Sequence, residues 1–154
     1  MKREIKFRGK SVDNNEWVYG DLIHIGNGCI IYQGSQSDYE IINKTGVAIE
    51  LFDDEVSVVR PETLGQFTGL CDKNRKEIYE GDIVRMSYVA EICTADDCYE
   101  EEGKYVGVAA ITANKGVCLN PCVKNGLYNT KYKPLSAYRS EVIGNIYDNP
   151  DLIK

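Results

Sequence analysis

Histidine is nearly absent from this chain: His24 is the only one among 154 residues. General acid–base catalysis leans on imidazole more than on any other side chain, so a Cys/His or Ser/His apparatus would rest on His24 alone. No Gly-x-Ser-x-Gly elbow, His-Glu-x-x-His helix or phosphate-cradling glycine loop makes up for this. Long hydrophobic runs are missing too, and no segment approaches the ~20 apolar residues that cross a bilayer. The opening Met1-Lys2-Arg3-Glu4-Ile5-Lys6-Phe7-Arg8 carries charge with no apolar stretch behind it, unlike a secretory leader. Cytoplasmic placement without a membrane partner is therefore expected, with the six cysteines as reduced thiols. A surplus of basic charge is also lacking. Eighteen Lys and Arg stand against 24 Asp and Glu, a net charge of −6, whereas a generic polyanion binder is usually basic.

What is present is enough for a folded domain. Hydrophobic residues make up 43% of the chain, an ordinary globular share, and the length suits a single domain over 1–154 or two small units sharing a core. Within it the chain repeats itself. Phe7-Arg8-Gly9-Lys10, Asp13-Asn14-Asn15 and Trp17-Val18-Tyr19-Gly20-Asp21-Leu22-Ile23 return as Phe67-Thr68-Gly69-Leu70, Asp72-Lys73-Asn74-Arg75 and Ile78-Tyr79-Glu80-Gly81-Asp82-Ile83-Val84. The matching residues are offset by 59 to 61 positions. Such self-similarity predicts one supersecondary unit used twice, over about 4–25 and 64–86. Glycine after tyrosine within a strand pattern (Gly20, Gly81) predicts a bulge or close backbone approach, with the next Asp bonding nearby backbone donors. Bent hairpins of that kind suit a small barrel or curled antiparallel sheets.

The remaining pattern is also mainly β, with at most short helical turns. Strands are expected over 4–10 and 16–25 around the Asx turn, over 29–32 after Gly26-Asn27-Gly28, and over 56–59 before Pro61. Residues 34–38 read as a loop, while the apolar runs 39–42 and 47–52 are too short to classify by period. Residues 64–70 and 77–90 form the second hairpin. Residues 91–104, with six acids and one base, read as an exposed loop. A strand follows over 105–112, Asn125-Gly126 signals a hairpin, and Asn149-Pro150 can open a helical turn at the end of an apolar stretch.

Candidate sites are sparse. Asp21 and Asp82, with Glu77 and Glu80, could hold a cation or do acid–base work, but a carboxylate after a glycine bend ordinarily bonds backbone. Cys93-x4-Cys98 and Cys118-x3-Cys122 approach zinc-ligand spacing without a knuckle around either pair, so no metal and no cofactor is expected. Residues 124–139 carry four cations and no acid. Their Lys124, Tyr128, Lys131, Tyr132, Lys133, Tyr138 and Arg139 interleave rings and charges as single-stranded nucleic-acid surfaces do. A half-buried strand with a solvated lysine face gives the same pattern.

The central block from Phe67 to Val84, with the opening Ile5-Lys6-Phe7-Arg8-Gly9-Lys10, Trp17-Val18-Tyr19-Gly20, Pro61-Glu62-Thr63-Leu64-Gly65-Gln66 and the closing Val142-Ile143-Gly144-Asn145-Ile146-Tyr147-Asp148-Asn149-Pro150, resembles the YopX family of phage and prophage proteins. The resemblance is loose over about 87–138. It implies a small, mostly β, phage-borne accessory protein in the cytoplasm of a host bacterium, and it brings no established activity. Relatives usually place glycine where this chain has Arg75, so either the turn needs a positive φ there and strains Arg75, or the turn is of a looser type. The expected role is a non-enzymatic one through contacts with a phage or host protein, without catalytic residues; the alternative is a nucleic-acid-binding module using 124–139. The apolar tail 142–153 has to pack on its own core or on a neighbour. Eleven tyrosines and one tryptophan exceed what so small a core needs, and tyrosine is enriched at interfaces, so a homo-oligomer is expected.

Overall fold

The computed structural model describes residues 4–34, 56–124, 127–129 and 133–153. The apolar runs 39–42 and 47–52 and the Asn125-Gly126 turn lie outside the described residues, as does most of the expected 34–38 loop. The fold is mainly β and every strand pairing is antiparallel. Its sheets are open rather than closed into a barrel, and no described helix is long and apolar enough to cross a membrane. The chain divides into two compact units, 1–66 and 67–154.

In the first unit, β1 (Phe7–Lys10), β2 (Trp17–Ile25), β3 (Gly28–Tyr32) and β4 (Val56–Val59) pair in sequence order. The opening residues of β5 (Gly65–Cys71) lie along the other edge of β1. The first turn is Asx-built: the Glu16 N–H donates to Asn14 Oδ1 at 3.0 Å, and Asn15 takes φ +60°, a region its short polar side chain tolerates. Trp17 stacks under two cations, with Arg8 4.5 Å and Lys10 5.3 Å from its ring centre. Cys29, Ile31 and Val59 are buried together, with Val18, Leu22 and Leu64 against them. β2 passes through Gly20 without a break, and the backbone of β3 lies close enough there to exclude a side chain. A Cβ at Gly20 would collide with the Tyr32 carbonyl oxygen.

The second unit starts with the rest of β5, which pairs with β6 (Glu77–Tyr79) through an irregular register. The Thr68 hydroxyl spans the irregularity, donating to the Ile78 carbonyl at 2.7 Å. After Tyr79 the chain turns through Glu80-Gly81 and enters β7 (Asp82–Cys93). Here the glycine is required: Gly81 has φ +88°. Its N–H donates to the Ala109 carbonyl and its own carbonyl accepts from the Ile146 N–H, both at 3.0 Å. β7 is flanked by β8 (Cys98–Thr112) and, along its first residues, by β12 (Ser140–Asn145). β8 continues the sheet to β9 (Gly116–Lys124), which also pairs with β10 (Leu127–Asn129) and β11 (Lys133–Pro134). Ile78, Val84, Met86, Tyr105, Ala109, Leu119 and Cys122 form its core, with Val142 packed against them. The strand half of the apolar tail therefore sits on its own chain. Residues Pro150–Ile153 close the chain as the expected single helical turn.

A single carboxylate ties the start of this unit to its end. Asp72 is buried. Its Oδ1 accepts from the N–H groups of Asn74 at 2.8 Å and Lys76 at 2.9 Å, and its Oδ2 accepts from the Val142 N–H at 2.9 Å. Arg75 in that turn has φ +66°, which is the left-handed alternative rather than the looser turn. Burial alone pushes the Asp72 carboxyl up, but the three backbone donors and the Lys76 charge outweigh it and hold it below its ordinary value.

The structure departs from the expected exposed loop over 91–104. These residues continue β7 and β8 as a ladder running from Ile83↔Val108 out to Cys93↔Cys98. Acidic side chains suggested a solvated loop, yet a strand needs only backbone pairing, and both faces here meet water.

Gly81→Val should destabilise the protein by about 1–3 kcal/mol, because a side chain would be forced into a positive φ and its Cβ would press on the Tyr147 ring at 3.3 Å; a melt matching the wild type would refute the strain. Asp72 has a lower carboxyl pKa folded than unfolded, so its contribution is complete above the unfolded carboxylate range, near pH 4, and is lost as pH falls through the folded value. Asp72→Asn should flatten the loss of stability on acidification between neutral pH and about pH 3, measured by denaturant melts across pH.

Candidate functional site

β7 and β8 are longer than the strands beside them, and this difference creates the most distinctive feature of the second unit. β12 covers the outer edge of β7 only as far as Met86, paired with Ser140. β9 covers the outer edge of β8 only from Tyr105, paired with Lys124. Residues 87–93 and 98–104 therefore form a two-stranded arm, and among the described residues no strand pairs with either of its outer edges.

Strand alternation sorts its side chains onto two faces. Tyr88, Ala90 and Ile92 share one face with their partners Gly103, Glu101 and Tyr99. Ser87, Val89, Glu91 and Cys93 share the other with Lys104, Glu102, Glu100 and Cys98. Val89 and Tyr99 are each about half exposed, at 53% and 51%, so both faces offer apolar contact. Glu91 lies directly opposite Glu100, and like charges in that position repel. The tip holds against this. Cys93 and Cys98 are joined by a disulfide across Cα atoms 4.1 Å apart. The turn between them is closed by Thr94, whose N–H donates to the Asp97 carbonyl at 2.7 Å and whose Oγ1 accepts from the Asp97 N–H at 3.2 Å. At the root, Tyr88 and Tyr105 rings stack with centres 4.8 Å apart. An open recess of about 600 Å³ lies there between Ser87, Tyr88, Val89, Glu102, Gly103 and Lys104.

The disulfide corrects the expectation of six reduced thiols. The ladder places Cys93 and Cys98 opposite one another, and Cys-x4-Cys around a tight turn is the signal that carried this in the sequence. The two cysteine pairs do not come together. Cys118 and Cys122 are fully buried in β9, and Cys122 lies opposite Gly107. Gly107 lies nine positions along β8 from Cys98, roughly 30 Å of extended strand. Burial raises the Cys122 thiol above its ordinary value against an opposing pull from Lys133, which disfavours the thiolate a metal would need. Glu91 approaches both arm sulfurs, with ligand atoms within 4.8 Å of one another, but sulfurs bonded to each other offer no thiolate pair.

The other candidates separate by role. Asp82 is buried, and its carboxylate accepts from the Tyr79 N–H at 2.8 Å. Glu77 accepts from the Tyr79 hydroxyl at 2.9 Å, and Glu80 is half-buried in the turn. Asp21 is exposed on β2, opposite Tyr32. His24 is exposed opposite the buried Cys29, and among the described residues it makes no hydrogen bond to that thiol. Of the basic-aromatic stretch, Lys131 and Tyr132 lie outside the described residues. Lys124 and Tyr128 enter the β9–β10 ladder opposite Leu127 and Val123. Lys133 Nζ sits 4.9 Å from the Tyr105 ring centre. Arg139 lies 5.2 Å from the ring of Tyr138, which is 73% exposed.

The family model described as YopX protein matches residues 6–154. No curated protein matches the sequence.

If the disulfide holds the arm together, Cys93→Ser with Cys98→Ser should free the tip. Closing a loop between residues five apart in sequence contributes about 2 kcal/mol by the chain-entropy relation. Amide exchange over 88–102 should then accelerate by one to two orders of magnitude, leaving the core amides of Ile83 and Leu119 unchanged. Equal exchange in both proteins would show that the ladder stands without the bond.

Proposed function

The chain belongs to the YopX family, and from that premise we propose that it is a phage- or prophage-encoded accessory protein. It works through protein contacts made on the β7–β8 arm, without catalysing a reaction. The observation behind this reading is the arm itself: two strands with open edges, a half-exposed Val89 and Tyr99, and a tip fixed by a disulfide. Unpaired strand edges are templates for another chain and are ordinarily kept short or covered. Among the described residues no strand pairs with either edge of the arm, over seven residues each. In the host cytoplasm, the expected location, thiol reductants would open the Cys93–Cys98 bond, and the arm would work there as a dithiol. Self-association belongs to the same reading through surfaces off the arm, with Tyr19 and Tyr138 exposed at 44% and 73%.

A variant in which Asn-Gly replaces residues 90–101 tests the reading. The shortened protein should keep the β signature and melting of the core, and should lose the partner that the intact chain captures from phage-induced host cells. Capture unchanged by the deletion, or turnover of nucleotides, peptides or nucleic acid by the pure protein, would overturn it.

A second reading, nucleic-acid binding, is favoured by the exposed Tyr138 ring with Arg139 beside it, a pair able to stack on a base and meet a phosphate. It requires retention of a single strand at low salt that Arg139→Ala weakens.

A further inference from the structure

We propose that the β7–β8 arm recruits a basic, extended polypeptide segment, which adds as a third strand along an arm edge. This rests on the docking reading above and names the chemistry of the partner. An open edge supplies the affinity of such an interaction through main-chain N–H and C=O groups, and side chains flanking it supply the choice of partner.

Charge makes that choice here. Glu91, Glu100 and Glu102 share one face, Glu101 stands on the other, and Asp96 and Asp97 crown the turn. Lys104, at the root, is the one base between residues 91 and 104. A strand laid along either edge passes within side-chain reach of these carboxylates, since neighbouring strands lie about 4.8 Å apart. A second copy of the arm would bring its own acids against them, and like charges placed opposite each other are destabilising. Residues 35–55 of this chain are also of the wrong sign, with six acids and one lysine. A segment alternating Lys or Arg with apolar residues satisfies both needs. Its cations meet the glutamates, and its apolar side chains meet Val89 on one face or Tyr88, Ile92 and Tyr99 on the other. The same acids that bar the arm from pairing with itself therefore admit a basic strand, which is specificity by repulsion of the wrong partners. The Thr94–Asp97 turn and the Tyr88–Tyr105 contact help by holding the two strands in register, so that the edge is preformed when the partner arrives.

The test uses the full chain, amide NMR and synthetic ten-residue peptides. A peptide alternating Lys and Val should bind saturably, shift resonances of 87–93 and 98–104, and slow exchange of outward-facing amides on one edge. Binding should weaken about tenfold with added salt and again by about tenfold in Glu100→Lys/Glu102→Lys. A Lys-Val peptide of equal charge that is N-methylated at every residue has no backbone N–H to donate along a ladder, and it should leave the arm's exchange unchanged. If the N-methylated peptide binds as tightly as its parent, the attraction is diffuse charge and strand addition is refuted. If a neutral Thr-Val peptide protects the edge as well as Lys-Val does, the basic partner is refuted while the arm remains a docking surface. If no peptide perturbs the arm at millimolar concentration, the basic strand and the arm-docking reading fall together.

Discussion

The second unit hangs on one buried carboxylate. Asp72 takes three backbone donors, two from its own turn and one from Val142, seventy positions further on. The turn bonds alone would give an ordinary Asx turn. The bond to Val142 makes that turn the seat of β12, at the point where the β7–β12 register shifts between Val142 and Gly144. A bulge leaves a backbone group out of the ladder, and there Asp72 supplies the acceptor that the Val142 N–H needs. The Lys73 N–H donates to the Ser140 carbonyl at 2.9 Å, and Glu141 joins Arg85 at 2.7 Å and Lys73 at 3.7 Å. The Arg85 hydrogen bond, chiefly, with Lys73 beside it, holds the Glu141 carboxyl below its ordinary value. The start of β12 is thus fixed from its backbone and its side chains at once.

Where β12 stops covering β7, the arm begins. β12 joins β7 at Met86, opposite Ser140, and the chain just before it is taken up by the 3-10 turn Ala137–Arg139, whose last carbonyl approaches the Ser87 hydroxyl at 3.5 Å. Among the described residues no strand continues the pairing of β12 along β7 past Met86. β8 keeps it company, and a two-stranded ribbon with repelling glutamates is marginal in water. The tyrosine stack at the root and the disulfide at the tip are the contacts that offset this.

Much of the fold was legible because its signals are local. Asp13-Asn14-Asn15, Gly26-Asn27-Gly28 and Pro61 punctuate the first unit where the strands end, whereas the sequence left the turn at Arg75 open between a positive φ and a looser type. The arm was misread because composition and pairing disagree there. Glu100-Glu101-Glu102 looks like a solvated loop, and only the partner strand makes it β. The Asp72–Val142 bond was invisible for a different reason: its acceptor is a commonplace turn aspartate and its donor is a backbone N–H, which leaves no mark in any side chain. His24 opposite Cys29 was likewise beyond reach, since register between strands is set by the turn at Gly26 and by the buried Ile31 rather than by either residue.

The repeated sequence shows how far local likeness carries. Both copies make an antiparallel hairpin behind an Asx turn, yet Phe7 pairs with Gly20 whereas Phe67 pairs with Tyr79. Tyr19 is 44% exposed and Tyr79 2%. In the first copy the strand runs straight through Gly20, whose missing Cβ makes room for the Tyr32 carbonyl. In the second, Gly81 breaks the strand at φ +88° and is pinned on both sides, to Ala109 and to Ile146. The same glycine thus serves close approach in one unit and a left-handed bend in the other. The aspartates next in the chain diverge accordingly: Asp21 points to water, while Asp82 is buried and spans the bend to the Tyr79 N–H. Because Asp82 also opens β7, the bend it stabilises aims the long ladder from which the arm projects. Among the described residues the matching strand of the first copy, β2, ends at Ile25, whereas β7 runs on to Cys93 and carries the arm.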